Sequence, residues 1–303
     1  MNPFFRIATV ALLVAACTPP TGDLGGVATP APSDEPSIAL PSDEPTPGQS
    51  AGPVETPGAT QGTATGTTTI RAYFFLGSFT DNAGLVPVLR EIPKTKAVGT
   101  AAMTALLAGP NDAELGARPA MYSEIPEDAR FLGLTIEADR ATVNVSKEFA
   151  SGGGSASVRG RLAQVVYTLT QFPSITSVSF LFDGLSLLVF GPGYTRSDFA
   201  DQLPAIFVDR PAWGGVLGNP ARLSGTADVF EAQFRFEIRD GQGRTLDAGP
   251  VLASCGSGCV GSFDETVGYQ VRAAGWGTLR VWEPSAQDGS VTNLTEYPVW
   301  LTP

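Results

Sequence analysis

Histidine is absent from all 303 residues. That absence removes Ser-His-Asp and Cys-His catalysis, imidazole metal sites and histidine pH switching together, so any catalysis would rest on carboxylates or lysine. Cysteine is nearly absent: Cys17, Cys255 and Cys259 are the three. Basic residues are scarce, 19 Lys and Arg against 30 Asp and Glu, a balance that argues against nucleic acid and against electrostatic docking on anionic lipid. No run approaches the roughly 20 apolar residues of a membrane-spanning helix. From Thr18 to about Thr68 the chain has no Lys or Arg and no apolar periodicity, only Pro, Thr, Gly, Ser and Ala with scattered Asp and Glu. Such a stretch cannot bury enough surface to fold and is expected to act as a disordered tether. At about 3.1 Å per residue its ~50 residues reach roughly 150 Å when extended.

What is there begins with one charge at Arg6, an apolar stretch from Ile7 to Val14, and Val14-Ala15-Ala16-Cys17. The segment has the order of a secretory signal and is too short to span a bilayer. It resembles the bacterial lipobox, and the resemblance implies cleavage between Ala16 and Cys17 with diacylglycerol attached to Cys17. Two acyl chains anchor stably where one binds marginally. The alternative is an ordinary secreted protein with an incidental cysteine. Cleavage removes Arg6 and leaves 18 basic against 30 acidic residues, a net of −12. Cys255 and Cys259 are then an even pair in an exported chain, separated by Gly-Ser-Gly. A disulfide is the first reading, with free thiols or a metal as alternatives.

The first folded block is expected over 69–190. Ile70, Ala72, Phe74 and Leu76 alternate with Arg71, Tyr73 and Phe75, a strand with one face firmly buried. Leu85 to Ile92 is a second extended piece. Val98, Ala102, Ala105 and Leu106 share a helical face that Gly109-Pro110 stops. Leu132, Leu134, Ile136 and Ala138 alternate, Asp139-Arg140 turns, and Val143 and Val145 return. A second helix spans about Ser157 to Phe172, with Val158, Leu162, Val165, Leu169 and Phe172 on one stripe and Ser155 or Ser157 as caps. Val178, Phe180 and Phe182 lead into the turn Asp183-Gly184, and Leu185 to Phe190 return. The order gives an α+β domain with two helices on a mixed sheet. Ala105-Leu106-Leu107-Ala108-Gly109-Pro110, Val143 to Phe149, and Tyr167 to Phe172 with Val178 and Asp183-Gly184 resemble the GerMN domain of sporulation and spore germination proteins. The resemblance implies an extracytoplasmic module of envelope lipoproteins and brings no catalytic residues with it.

After a linker at 191–203, residues 204–303 read as all-β. Phe230, Ala232, Phe234, Phe236 and Ile238 alternate up to Asp240-Gly241. Further strands are expected at Ala205 to Val208, Ala221 to Ala227, Thr245 to Ser254, Thr266 to Arg272, Gly277 to Trp282 and Leu294 to Leu301. Seven short strands suit an immunoglobulin-like β-sandwich. Ser224-Gly225-Thr226-Ala227 with Val229-Phe230-Glu231, and Ser285 to Ser290, resemble the immunoglobulin-like module of spore germination proteins. The expected domains are thus a signal at 1–16, a tether at 17–68, and the two folded blocks. Enough apolar residues are present for two cores.

Several residue groups are weighed as sites. Ser151-Gly152-Gly153-Gly154-Ser155, with Arg159 and Arg161, offers an anion cradle, against a flexible loop with a serine cap. Glu124, Glu127 and Asp128 offer paired acids for glycan hydrolysis, against ordinary acidic loop residues. Asp198, Asp201 and Asp209 suggest a cation, against a solvated linker, and follow no calcium-loop spacing. Trp213, Trp276, Trp282 and Trp300 offer a sugar-stacking platform, against core positions. Asn144-Val145-Ser146 and Asn293-Leu294-Thr295 match the glycosylation triplet by chance. No catalytic, metal or cofactor set emerges. The function expected is a non-enzymatic, lipid-anchored protein on the outer face of the cytoplasmic membrane. Its partner would be an envelope or signalling protein, with edge strands of the sandwich offering β-augmentation. Binding of cell-wall glycan or peptide is the alternative, and a wall hydrolase stands behind it.

Overall fold

The computed structural model describes residues 66–78, 82–187 and 190–303, so Cys17, the signal and most of the tether lie outside the described residues. The fold is mostly β, arranged in several sheets. In the first domain β1 (Thr67–Gly77) and β2 (Asn82–Pro93) form a long antiparallel pair, followed by α1 (Val98–Leu107), the single turn α2 (Asp112–Leu115) and the short β3 (Met121–Tyr122). Then come β4 (Phe131–Glu137), β5 (Arg140–Val145), α3 (Gly154–Leu169) and β6 (Ser177–Phe182). The expected single mixed sheet is two three-stranded sheets, β2-β1-β3 and β4-β5-β6, the second joining an antiparallel pair to a parallel one. The two main helices pack against both.

Being enclosed on both sides changes what the alternating patterns mean. Tyr73 and Phe75 are as buried as Ile70, Ala72 and Phe74, so from Ala72 to Leu76 β1 has no solvent face. Likewise α3 is buried from Gly160 to Leu169 on every side, not along one stripe. Its polar residues must therefore find partners. Gln164 Nε2 donates to the Tyr73 carbonyl at 2.9 Å, and Gln171, just past the helix, exchanges two 2.7 Å bonds with the Arg71 amide and carbonyl. These side-chain amides occupy the edge of β1 where β3 is too short to reach. The helix starts at Gly153 in left-handed conformation with no side-chain cap, so neither Ser155 nor Ser157 caps it.

The turn Asp183-Gly184 forms, closed by reciprocal bonds between Phe182 and Leu185. The expected return strand is reduced to that one bridge; residues 188 and 189 lie outside the described residues. On the edge strand β4, Leu132 and Ile136 are 46% and 47% exposed, so its apolar alternation does not mark a buried face.

The second domain holds β7 (Ile206–Arg210), β8 (Val216–Leu217), β9 (Ala221–Ala227), β10 (Gln233–Asp240), β11 (Thr245–Leu252), β12 (Gly261–Val267), β13 (Gly275–Pro284) and β14 (Val291–Leu301). They make a five-stranded sheet, β11-β10-β13-β14-β8, and a three-stranded sheet, β12-β9-β7. Phe234 and Phe263 meet edge to face between them at 4.9 Å. Two expectations fail. The strand read from Phe230 begins at Gln233, because Gly256 packs so closely on the Ala232 backbone that a Cβ there would lie 2.0 Å from its nitrogen, and Glu231 and Ala232 take positive φ. The strand read at Thr266 to Arg272 is β12, ending at Val267.

Residues 191–203 are not a solvated linker. Tyr194 pairs with Val178, Phe199 is fully buried in a 3-10 segment (Arg196–Gln202), and the chain runs over Gly84, where a Cβ would lie 2.4 Å from the Pro204 nitrogen. Most buried apolar residues of both domains form one continuous cluster, with Ile70, Ile92 and Ala102 making a small second one.

Candidate functional site

A part-buried polar group joins the domains. Tyr73 of β1 donates its hydroxyl proton to Asp209 of β7 at 2.6 Å. Arg196 donates to that hydroxyl at 3.2 Å, to Thr170 Oγ1 at 2.8 Å and to the Tyr167 carbonyl at 3.2 Å, while stacking 4.8 Å from the Tyr167 ring. Burial, with Asp209 adding to it, holds the Tyr73 hydroxyl well above its ordinary pKa, and burial pushes Tyr167 up to about 12. Both phenols therefore stay protonated donors at neutral pH. The group is a clasp between the domains, with Phe207 packed against both tyrosine rings.

The groups weighed as catalytic or ligand-binding separate along the same lines. Arg161, 3% exposed, donates to the carbonyls of Glu124, Phe149, Ser151 and Gly152 and to the Ser157 hydroxyl. The glycine loop thus turns its carbonyls toward a cation rather than its amides toward an anion. Arg159 makes a two-pronged bond to Asp201 and also reaches the Asp198 carbonyl. Glu124 accepts the Ser157 hydroxyl at 2.5 Å, whereas Glu127 and Asp128 are exposed and share no cleft with it. Asp198 caps the 3-10 segment through Thr195, Asp201 holds Arg159 and Asp209 holds Tyr73, so the three aspartates do not converge. Asn144 accepts the Gly184 amide and Asn293 donates to Glu283. Cys255 and Cys259 are joined as a disulfide with Cα atoms 6.0 Å apart.

The tryptophans divide. Trp213 is half-buried at the domain junction, its amide donating to the Pro87 carbonyl at 2.8 Å. Trp276 and Trp300 are directly cross-strand, edge to face at 5.4 Å, and 56% and 36% exposed. They belong to the outer face of the five-stranded sheet, where Trp276, Thr278, Arg280 and Trp282 alternate with the inward Gly277, Leu279 and Val281. Arg280 stacks 5.5 Å from Trp282 and bonds Glu237 and Glu296, each at 2.7 Å. Glu237 also receives Arg239 at 2.8 Å and the Thr245 hydroxyl at 2.5 Å. Desolvation opposes its charge, yet these donors prevail and hold its carboxyl down at about 2. Two hollows of 480 and 750 Å³ flank Trp276. Sequence reasoning named these tryptophans but not the Arg239, Arg280, Glu237 and Glu296 ladder beside them. The strict two-residue alternation over 276–282 was the available signal.

Two family models match the chain: Germane, of sporulation and spore germination, over residues 71–188, and Gmad2, the immunoglobulin-like domain of bacterial spore germination, over residues 205–290. Among solved structures, the tandem GerMN domains of the sporulation protein GerM from Bacillus subtilis are 22% identical, covering 47% of this chain and 48% of that one, with a TM-score of 0.34. This chain therefore spans about half the length of that structure. The first GerMN domain of the same protein is 20% identical over 42% of this chain and 92% of its own, with a TM-score of 0.31. Superpositions this loose say nothing about function. No curated protein matches the sequence.

Proposed function

From a chain that carries a Germane domain followed by a Gmad2 domain, we propose a non-enzymatic envelope protein, anchored through lipid at Cys17 on the outer face of the cytoplasmic membrane, that binds a protein partner. The partner would belong to an envelope assembly of the sporulation, germination or signalling kind. The observation that supports a binding role is β4: it is the edge strand of its sheet, and Leu132 and Ile136 project their apolar side chains from it into solvent. An extended segment of a partner can add to such an edge, gaining main-chain hydrogen bonds and two apolar contacts. The buried charges of the first domain support the same reading, since Arg161 and Glu124 are already engaged in holding loops.

Crosslinking in the native membrane tests it. One stoichiometric protein should be captured, and Leu132→Lys with Ile136→Lys should abolish that capture, because both side chains stand half exposed on that edge. Unchanged capture by the double variant, or recovery of wall fragments alone, would sink the protein-partner reading. Anchorage is tested separately: Cys17→Ser should end fatty-acid incorporation and release the chain from the membrane.

A further inference from the structure

The outer face of the second domain exposes the aromatic pair Trp276 and Trp300, while Thr278 and Glu296 of the same face line a hollow with Leu76 and Trp213 at the domain junction. Trp276 and Trp300 are exposed in a protein whose other large aromatics are mostly enclosed. Trp276 and Trp282 are six residue steps apart along the strand, about 20 Å at roughly 3.4 Å per residue. The hollows beside Trp276 are floored by Gly241, Gly243, Gly275 and Gly277, which leaves its ring approachable. Their walls bring four arginines, Arg239, Arg244, Arg272 and Arg280, against Asp240 and Glu296, with Glu237 bonded to Arg239 and Arg280 beside them, so that Arg272 is the arginine without an acid. This is a local excess of positive charge in a chain of net charge −11. Arg272 is exposed and makes no ion pair among the described residues.

We propose that this face binds a carboxylate-bearing glycan strand of the cell wall. The identity of the strand rests on the envelope location argued above. A pyranose ring offers a flat C–H face that packs on the negative face of an indole, and its carboxylate suits a guanidinium fork. Arg280 and Glu237 are mostly buried and stay paired, whereas Arg239, Arg244 and Arg272 are the more exposed guanidinium groups that a ligand carboxylate can reach. A peptide is the poorer fit. β13 is hydrogen-bonded by β10 on one side and β14 on the other, so its backbone is not open to strand addition, and recognition must come from side chains across a face.

The test uses the full chain in detergent and three probes: wall glycan strands stripped of stem peptides, whose lactyl carboxylates are free; the same strands amidated with carbodiimide; and poly-glutamate. Binding to the carboxylated strands is expected, weaker by about tenfold after amidation. Trp276→Ala should lower it by about tenfold, and Arg272→Ala by about threefold. Trp276→Phe should restore most of it, which separates a lost stacking surface from misfolding. Native binding by Trp276→Ala, preference for poly-glutamate, or no binding to the carboxylated strands would each overturn the proposal. Fatty-acid labelling at Cys17 reports on the envelope reading independently of all three.

Discussion

Arginine, glutamate and aromatic residues cluster in two places, with opposite consequences. Inside the first domain Arg161 is enclosed by the carbonyls of Glu124, Phe149, Ser151 and Gly152, and every contact it makes is to this chain's own main chain or to Ser157. On the outer face of the second domain Arg280 lies between Glu237, Glu296 and Trp282, next to solvent and beside the exposed Trp276. Desolvation makes the difference. A buried cation with no alternative partner is a structural bolt. One at a wet surface, as the more exposed Arg239 and Arg244 of that face are, exchanges partners at small cost.

The comparison predicts unequal costs. Arg161→Met should be the most damaging, destabilising by about 3 kcal/mol, because it strips four loop carbonyls of the donor that a buried side chain supplies. Denaturant unfolding measures it; a loss under about 1 kcal/mol would mean water substitutes and the site is wetter than it looks. Tyr73→Phe should cost about 1–2 kcal/mol by leaving Asp209 without its donor. If instead it is neutral, the Tyr73–Asp209 bond contributes nothing to holding the two domains together. Glu237→Gln should cost about 1 kcal/mol at neutral pH, a smaller loss because the surrounding arginines are partly exposed. Since folding lowers the Glu237 pKa, its contribution is complete above the unfolded value of 4.5 and fades as pH falls toward about 2. The native protein should therefore lose more stability than Glu237→Gln across that interval. Trp276→Ala should shift stability by no more than about 0.5 kcal/mol, since an exposed side chain contributes little to the core. A large loss would move Trp276 from the recognition surface to the structure.

Where local pattern decided the outcome, the sequence was legible. Helix α1 follows from the 3.6-residue spacing of Val98, Ala102 and Leu106, and Asp183-Gly184 turns as its residue types require. Where distant packing decided, it was not. Nothing local distinguishes the alternating Phe230-Ala232 from a strand; the loop carrying Gly256, folded back over Ala232, forces the turn. The enclosure of α3 was hidden because its polar Arg161 and Gln164 look like a solvent face until β1 and the loop after β3 are brought against them. Residues 191–203 have the glycine, proline and charge of a spacer, yet Phe199 and Arg196 fasten it to α3. For the candidate surface, the Trp276-Thr278-Arg280-Trp282 alternation is written in the chain. The pairing of Trp276 with Trp300 depends on the β13–β14 register, which only the folded sheet fixes.

The amides of Gln164 and Gln171 have one further consequence, for the behaviour of the protein at high local concentration. By occupying the main-chain groups of Arg71 and Tyr73, they make helix α3 stand in for a missing neighbour strand. A long apolar strand with an open margin would invite pairing with like strands on adjacent molecules, the first step toward aggregation. Two glutamines two helical turns apart shut that margin, so the chain's most hydrophobic strand is also one that a neighbouring molecule cannot extend.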